Sequence, residues 1–496
     1  MKALTQLVDK SNIYHLGNLE PILHLTNNSK KVKQNSIFFA IKGTQFDGHK
    51  FLEHAISKGA KSVVIQDKKI AESLQNKYPF LNIVLTENTR KLQAEISSKF
   101  YDNPSLKLKV IGVTGTNGKT TTANLISQYL ELNKKDCGII GTISYKFKDK
   151  TFAAGRTTPD SIEWNELLKK MKELGANYVV SEISSHAVEQ YRIHGTKFEG
   201  GIFTNLTQDH LDYHLTMENY FKSKMKFFDY IYETNKNAVF SINVDDEYGR
   251  RIYEKYKNKI NMISYGRTSP EFKILETNSD INGVSFKYQF KGRIREVKSS
   301  LRGDFNILNI AASFSFLLQH GLDEDFLIDA TSKLTPIRGR FEILEGEDFL
   351  VVNDYAHTPD ALENILLSLN KIKKKRIIIV FGAGGDRDRT KRPVMGRIAE
   401  DLADVIILTS DNPRSENPER IIEDICTGIE GKKEIYKIID RKEAIKKAIE
   451  IAEADDIVLI AGKGHETYQI IGEKIYHFDD MDVAKTYLKS FNKIQL

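Results

Sequence analysis

Lys119 and Thr120 sit near the end of the run Val110–Thr122, VIGVTGTNGKTTT. A lysine and a hydroxyl after a glycine-rich turn are suited to binding phosphate. The apolar stretch Lys109–Val113 reads as a buried strand, and a helical pattern runs on from Lys119 to Leu132. A turn between them gathers backbone N–H groups at a helix N-terminus, where the helix dipole also favours negative charge. Lys119 is then placed for terminal phosphates and Thr120 for magnesium, with Gly115, Thr116, Asn117, Gly118 and Thr121 in the same loop. The loop departs from G-x-x-x-x-G-K-[ST], which asks for glycine where this chain has Val113. The competing reading is a plain glycine-rich turn with a solvated lysine. Strand, turn, lysine and helix nevertheless occur in the order phosphate binding needs.

Further groups able to do chemistry follow. YVVSEISSH ends a strand with Glu182, expected to be exposed near the sheet edge as a magnesium ligand. A capping or solvated carboxylate is the alternative. Ser184, Gln190 and Arg192 come next and offer hydroxyl, amide and guanidinium groups to an anionic substrate. His210 and His214 are four apart, a spacing used for zinc, but Leu211 stands where H-E-x-x-H needs glutamate. His210 is therefore read as facing magnesium or substrate, or as a structural histidine. Lys222, Lys224 and Lys226 lie on an amphipathic helix, Tyr220–Phe228, and by pattern alone form a solvated face.

The last third carries four polar segments, each after an apolar run: DYAHTP, GAGGDRDR, SDNPR and AGKGHE. Strands are expected at Phe349–Asn353, Arg376–Phe381, Asp404–Thr409, Glu434–Ile439 and Asp456–Ile460, with helices in most gaps. In a doubly wound α/β domain, ligands bind beyond the carboxyl ends of such strands. A dinucleotide fingerprint starting at Gly382 fails because Arg387 replaces its last glycine. An arginine there suits a carboxylate or phosphate.

These groups need several domains to position them, and 496 residues exceed one ordinary core. The first hundred residues show short strands and a helix at Gly48–Lys58, up to the turn-rich YDNPS. The middle alternates strands and helices as a mostly parallel sheet, with an antiparallel meander at about 272–299, up to LTPIRGRFE. A net charge of +6 without a basic tract argues against nucleic acid. Cys137 and Cys426 offer no disulfide framework or zinc spacing. Neither a signal peptide nor a membrane span is read, so the expectation is a cytoplasmic protein.

TGTNGKTT is the form of the phosphate loop in the Mur ligases and their folylpolyglutamate synthetase relatives, and the resemblance runs from about Ser29 to Glu466. It implies an ATP- and magnesium-dependent amide-bond ligase that works through an acyl phosphate. The implied fold is α/β in three domains: a small N-terminal α/β domain for the UDP-muramoyl substrate (1–103), a central P-loop ATPase-type parallel sheet (104–335), and a C-terminal doubly wound Rossmann-like domain for the amino acid (336–496). YFKSKMKFF resembles the family's Y-x-x-A-K-x-x-L-F, which implies that Lys224 is carbamylated and, with Thr120, Glu182 and His210, holds metal. Asn306 matches the adenine-contacting segment, and Arg340, Asp354 and His357 match the hinge and ribose side. Ser29, Thr157 and Thr158, with Ser184, Gln190 and Arg192, are implied to bind the UDP-muramoyl-dipeptide; Asn28 and Lys30 replace the family's Asp and Arg. SDNPR resembles the box of members that add meso-diaminopimelate. This implies an amino-acid site of Arg387, Asp411, Asn412, Pro413, Arg414, Gly462 and Glu466. The expected partners are these small molecules alone, with no nucleic acid or membrane, acting on a monomer. The rival readings are a lysine-adding member or another amide ligase such as folylpolyglutamate synthetase.

Overall fold

Alternating β-branched runs and amphipathic helices produce an α/β architecture throughout. The computed structural model describes residues 2–43, 46–152, 154–491 and 493. These residues form two compact units. The first holds 1–111, 135–199 and 233–235; the second holds 112–134, 200–232 and 236–496.

In the first unit, a five-stranded sheet runs in the order Ile13–His15, Asn82–Leu85, Ala60–Ile65, Ser36–Phe39, His24–Thr26, parallel except at the first pair. Both faces are covered, one by a core around Phe38, Val63 and Ile83 and the other by one around Phe39, Val64 and Val84. Parallel strands buried on both faces read as continuous apolar runs, as VVI at 63–65 does. The expected helix Gly48–Lys58 begins instead as a 3₁₀ turn, Gly48–Phe51, capped by Asp47, and becomes α-helical over Leu52–Ser57. Tyr178–Glu182 pairs in parallel with Cys137–Ile140. The helix Ser161–Glu173 is capped by Asp160, which accepts from Ile162 N and Glu163 N.

In the second unit, residues 200–203 pair in parallel with Val239–Asn243, which pairs in parallel with Asn261–Gly266. The expected meander is present as Phe272–Asp280, Gly283–Phe290 and Arg293–Ser299. The C-terminal sheet runs Glu342–Glu345, Leu350–Asp354, Ile457–Ala461, Ile377–Phe381, Val405–Leu408, Glu434–Lys437, parallel except for its first strand. Helices Pro359–Ile372, Lys391–Leu402 and Pro418–Cys426 pack on one face, and Arg441–Ile451 and Asp480–Ser490 on the other. This is the expected doubly wound arrangement. The edge strand Glu342–Glu345 and a hairpin, Tyr468–Ile471 with Lys474–His477, were not legible as strands because both are short and mostly unburied. No helix among the described residues is long and apolar enough to cross a membrane.

The second C-terminal face holds a fully buried, two-pronged ion pair. Arg441 Nε and Nη2 each donate to Asp480 at 2.7 Å. Arg441→Ala should lower stability by about 3–5 kcal/mol, because it strands a buried carboxylate. Replacing both partners by apolar residues should cost less. Urea denaturation of the two variants checks this, and equal losses would contradict it.

Candidate active site

The phosphate loop leaves its strand at Thr114 and enters the helix Lys119–Leu132 at Gly118. Gly115 has φ +151° and Gly118 φ +81°. A Cβ at Gly115 would lie 1.9 Å from Thr204 Oγ1, and one at Gly118 would lie 2.4 Å from Asn309 Oδ1. These are the positions where the turn requires glycine. Val113 is a fully buried strand residue with no such demand, so the missing glycine of the ordinary loop pattern does no harm. Lys119 Nζ donates to Gly115 O at 3.1 Å and Thr116 O at 2.8 Å. Asn117 N donates to Asn205 Oδ1 at 2.9 Å, and its side-chain amide donates to Thr207 Oγ1 at 3.2 Å and Asp360 Oδ2 at 2.6 Å. Thr120 Oγ1 accepts from Arg340 Nη2 at 3.1 Å, and Thr121 is buried beside it.

Lys224 sits against the same loop. Its Nζ donates to Gly115 O at 2.7 Å and lies 4.6 Å from the centre of the Tyr220 ring. Burial, then the charge of Lys119, push its amine well below the usual lysine range. Lys222 and Lys226 are exposed. The pattern-based reading of a solvated lysine face thus holds for those two and is corrected for Lys224, which helix periodicity turns inward.

His210 adopts φ +55°; its N–H donates to Asp209 Oδ1 at 2.9 Å and its Nε2 lies 3.3 Å from Asp209 Oδ2. His214 is buried and stacks on Tyr220 at 4.9 Å, so the i, i+4 pair has one core member. Burial raises the Asp209 carboxyl, but His210, Lys391 and His357 outweigh it and hold the group well below the usual carboxylate range. His357 is pushed down to about 4 by burial and then Lys391, so it is neutral at pH 7. Its Nδ1 lies 2.8 Å from Tyr355 O. Asp354 accepts from Phe341 N at 2.7 Å, and burial pushes its carboxyl up. The Arg340 guanidinium lies 4.4 Å over the Tyr355 ring. Asn306 donates to Arg302 O at 2.6 Å and accepts from Asn309 Nδ2 at 3.0 Å.

The first unit gathers a second group. Glu182 is buried rather than exposed, which corrects the expectation from sequence. Its carboxylate accepts from Thr142 N at 2.7 Å and Thr142 Oγ1 at 3.1 Å, and a Cβ at Gly141 would lie 2.4 Å from Glu182 Oε1. Thr157 Oγ1 is 3.1 Å from Thr142 Oγ1. Thr158 Oγ1 donates to Glu182 O at 2.7 Å and accepts from Ser184 N at 3.1 Å. Ser184 caps the helix Ser185–Glu189. Arg192 donates to Thr158 O at 2.8 Å and to Gln190 Oε1 at 2.8 and 3.2 Å; burial brings its pKa down to about 10. Ser29 lies in a separate turn, Ser29–Lys31, where Asn28 accepts from Lys30 N at 2.9 Å, so Asn28 fills the capping role an aspartate would. Among the described residues no three His, Cys, Asp or Glu side chains form a metal-binding group.

At the carboxyl edge of the C-terminal sheet, Asn412 Nδ2 donates to Glu466 Oε2 at 2.9 Å. Arg414 has φ +51°, and its Nη1 donates to Gly385 O at 2.7 Å. A Cβ at Gly384 would lie 3.0 Å from Arg414 Nη1 and 3.7 Å from Arg387 Cγ, so both arginines flank one glycine. Arg387 is exposed and Arg414 half-buried. At Gly462, φ +112°, a Cβ would lie 2.7 Å from Asp411 Oδ2. The hairpin fixes this edge: Arg414 N donates to Ile470 O at 3.1 Å, Gly472 N to Arg414 O at 2.8 Å, and Gln469 Nε2 to Asp411 O at 2.7 Å. Pro413 is buried, and a Cβ at Gly385 would lie 1.9 Å from its carbonyl oxygen. Lys463, Asp360 and Lys391 were missed in the sequence. Lys463 and Asp360 lie inside or directly beside segments already singled out, but lysines and aspartates in polar turns are ordinarily solvated.

Three family descriptions match: Mur ligase family, catalytic domain, over residues 21–101; Mur ligase middle domain over 113–317; and Mur ligase, glutamate ligase domain, over 339–464. The chain belongs to the Mur ligase family, and its α/β fold is that family's three-domain fold. It is 47% identical to the UDP-N-acetylmuramoyl-L-alanyl-D-glutamate–2,6-diaminopimelate ligase of Aquifex aeolicus, covering 95% of this chain and 94% of that one. To the protein of the same name from Geobacillus kaustophilus it is 39% identical, covering 99% of both. A solved structure of a ligase of that name superposes with a TM-score of 0.69 at 32% identity, covering 99% of this chain and 100% of the other. The MurF ligase of Thermotoga maritima in complex with ADP shares the fold at a TM-score of 0.65 and 19% identity, covering 94% and 98%.

Gly118→Ala should cost about 1–2 kcal/mol from the left-handed backbone alone, plus the collision with Asn309. Adding Asn309→Ala should recover part of the loss, since the two side chains meet. A urea-melt double-mutant cycle checks this; strict additivity would place Asn309 elsewhere.

Proposed function

We propose that this chain is an ATP-dependent ligase that joins meso-diaminopimelate to UDP-N-acetylmuramoyl-L-alanyl-D-glutamate in peptidoglycan precursor synthesis. The carrying observation is the phosphate loop with two lysine amines on one carbonyl, in a chain 47% identical over 95% of its length to a ligase of that name. In this reading the ranges 1–103, 104–335 and 336–496 handle the UDP-sugar, the nucleotide and the amino acid. The substrate D-glutamyl carboxylate takes the γ-phosphoryl group, and the amine then displaces phosphate from the acyl phosphate. No protein nucleophile is required. Lys119 and the loop N–H groups offset charge developing on the phosphoryl oxygens. The adenosine side falls to Asn306, Arg340 and Asp354. Thr157, Thr158, Ser184, Gln190 and Arg192, with Ser29, bind the muramoyl-dipeptide.

Thr120, Glu182, His210 and Lys224 as its carbamate are the proposed magnesium ligands. Magnesium, when bound, neutralises phosphate charge. The Lys224 environment fits this role: burial and Lys119 disfavour its ammonium form, and only a neutral amine can attack the carbon of carbon dioxide and lose a proton. The product is an anion facing the Lys119 cation.

The amino-acid site is Arg387, Asp411, Asn412, Pro413, Arg414, Gly462 and Glu466. Arg414 takes the distal carboxylate and the acidic side of the pocket takes the distal ammonium. Lysine would leave the guanidinium unpaired, a penalty that sets specificity.

Lys119→Ala should lower kcat/KM for ATP well over tenfold, since one charge-assisted contact is worth more than about 1.4 kcal/mol. Turnover within about threefold of the parent would remove the loop from the mechanism. Arg414→Ala should lower kcat/KM for meso-diaminopimelate by about thirtyfold or more and narrow the gap to lysine. An amino-acid panel with ATP and the UDP-muramoyl-dipeptide measures both. An unaltered preference in the variant would overturn the assignment of this box.

A further inference from the structure

Lys463 is completely buried at the carboxyl edge of the C-terminal sheet. Its Nζ donates to Glu466 Oε2 at 3.0 Å and Asn412 Oδ1 at 3.3 Å, and lies 4.0 Å from Asp411 Oδ1. Two carboxylates and one ammonium thus share this sheet edge, with Lys463 and Asp411 buried and Glu466 partly buried. The neighbouring buried guanidinium, Arg441, is already matched by Asp480. The floor therefore carries one negative charge more than its cations balance, which is the charge needed to receive one incoming ammonium group. A buried unpaired charge costs several kcal/mol, so two adjacent carboxylates without Lys463 would not both stay ionised.

We infer that Lys463 is a positioning and specificity residue of the amino-acid site: it holds Glu466 ionised and aimed, so that the pocket accepts the distal ammonium of a diamino acid. This deepens the ligase reading above and rests on it. Lys463 itself does not touch the substrate. It pins one oxygen of Glu466 beside the amide of Asn412, and Asn412 Oδ1 is shared with the hairpin through Ile470 N at 2.9 Å. Burial first, then the charge of Asp411, push the Glu466 carboxyl above its ordinary range, while Lys463 and Asn412 oppose them. Tyr355, Tyr468 and Arg441 also face the pair, with Arg340 and Arg414 acting on the two tyrosines. Removing Lys463 takes away a cation that favours the carboxylate, so Glu466 would titrate at higher pH and a neutral carboxyl would meet the ammonium at pH 7. The net charge of the floor would stay at minus one, but it would sit on Asp411 and no longer on Glu466.

The test is steady-state kinetics of Lys463→Met and Lys463→Arg from about pH 6 to 9.5, with ATP, the UDP-muramoyl-dipeptide and meso-diaminopimelate. For Lys463→Met, KM for the amino acid should rise about tenfold or more at pH 7, the effect of a one-unit titration shift. KM for ATP and kcat at saturating amino acid should stay within about twofold. The deficit should shrink as pH rises and Glu466 ionises. Lys463→Arg, which keeps the cation, should recover most of the affinity. Adding Asp411→Asn to Lys463→Met restores the charge count and should recover part of it at pH 7; this double variant also serves as the readout if the single variant fails to fold. An unchanged KM, a deficit equal at every pH, or a double variant no better than the single one would overturn the inference. If the parent ligates lysine and not the diacid, the substrate assignment is wrong, yet the same pH-dependent loss is then read on lysine. A parent that ligates no diamino acid overturns both.

Discussion

Two lysine amines converge on one backbone carbonyl, Gly115 O, at 3.1 Å for Lys119 and 2.7 Å for Lys224. Much of the second unit is arranged to make that approach possible. Gly115 and Gly118 must be glycine because Thr204 and Asn309 stand where a Cβ would go. The helix Met217–Thr234 must bury Lys224 among Tyr220, Phe221 and Phe227 rather than expose it as it does Lys222. Burial and then the neighbouring Lys119 both disfavour the ammonium form of this amine beside the phosphate-binding turn. A charged lysine buried there is disfavoured, and an ionised carboxylate would have no proton to donate to the same carbonyl.

The loop is also tied to the C-terminal third. Asn117 reaches Asp360, Thr120 reaches Arg340, Gln208 Nε2 reaches Thr390 Oγ1 at 2.9 Å, and Asp209 lies 3.7 Å from Lys391. Each link joins a polar residue at the phosphate-binding end to one at the head of a C-terminal helix or strand. They give the loop partners on both sides, which matters for a turn whose backbone must hold its N–H groups in place while its charge environment changes. The carboxyl edge of the C-terminal sheet is built on the same logic. Two arginines flank Gly384, and a buried lysine steadies the facing carboxylate.

Much of this was legible from residue types and order. The strand–turn–lysine–helix succession, the meander and the doubly wound sheet all follow from apolar periodicity and glycine placement, and the four polar segments fall at strand ends as that topology requires. The resemblance supplied the special status of Lys224, which the spacing of Lys222, Lys224 and Lys226 alone did not separate from a solvated face. Glu182 was misjudged because a strand-end carboxylate is usually exposed. Here Gly141 leaves room for it to turn inward onto Thr142. Lys463 was passed over because burial, not sequence, makes a lysine in a polar turn informative. The hairpin at 468–477 was passed over because its residues pack too little to show a pattern.

The central claim is that Lys224 is held against the phosphate loop with its ammonium form disfavoured, so that it can take up carbon dioxide. The most direct measurement is carbon-13 NMR of the active protein equilibrated with labelled bicarbonate. The account predicts one carbamate resonance that disappears in Lys224→Ala, together with activity that falls when carbon dioxide is stripped and returns when it is restored. Full activity in stripped protein with no carbamate resonance would contradict it.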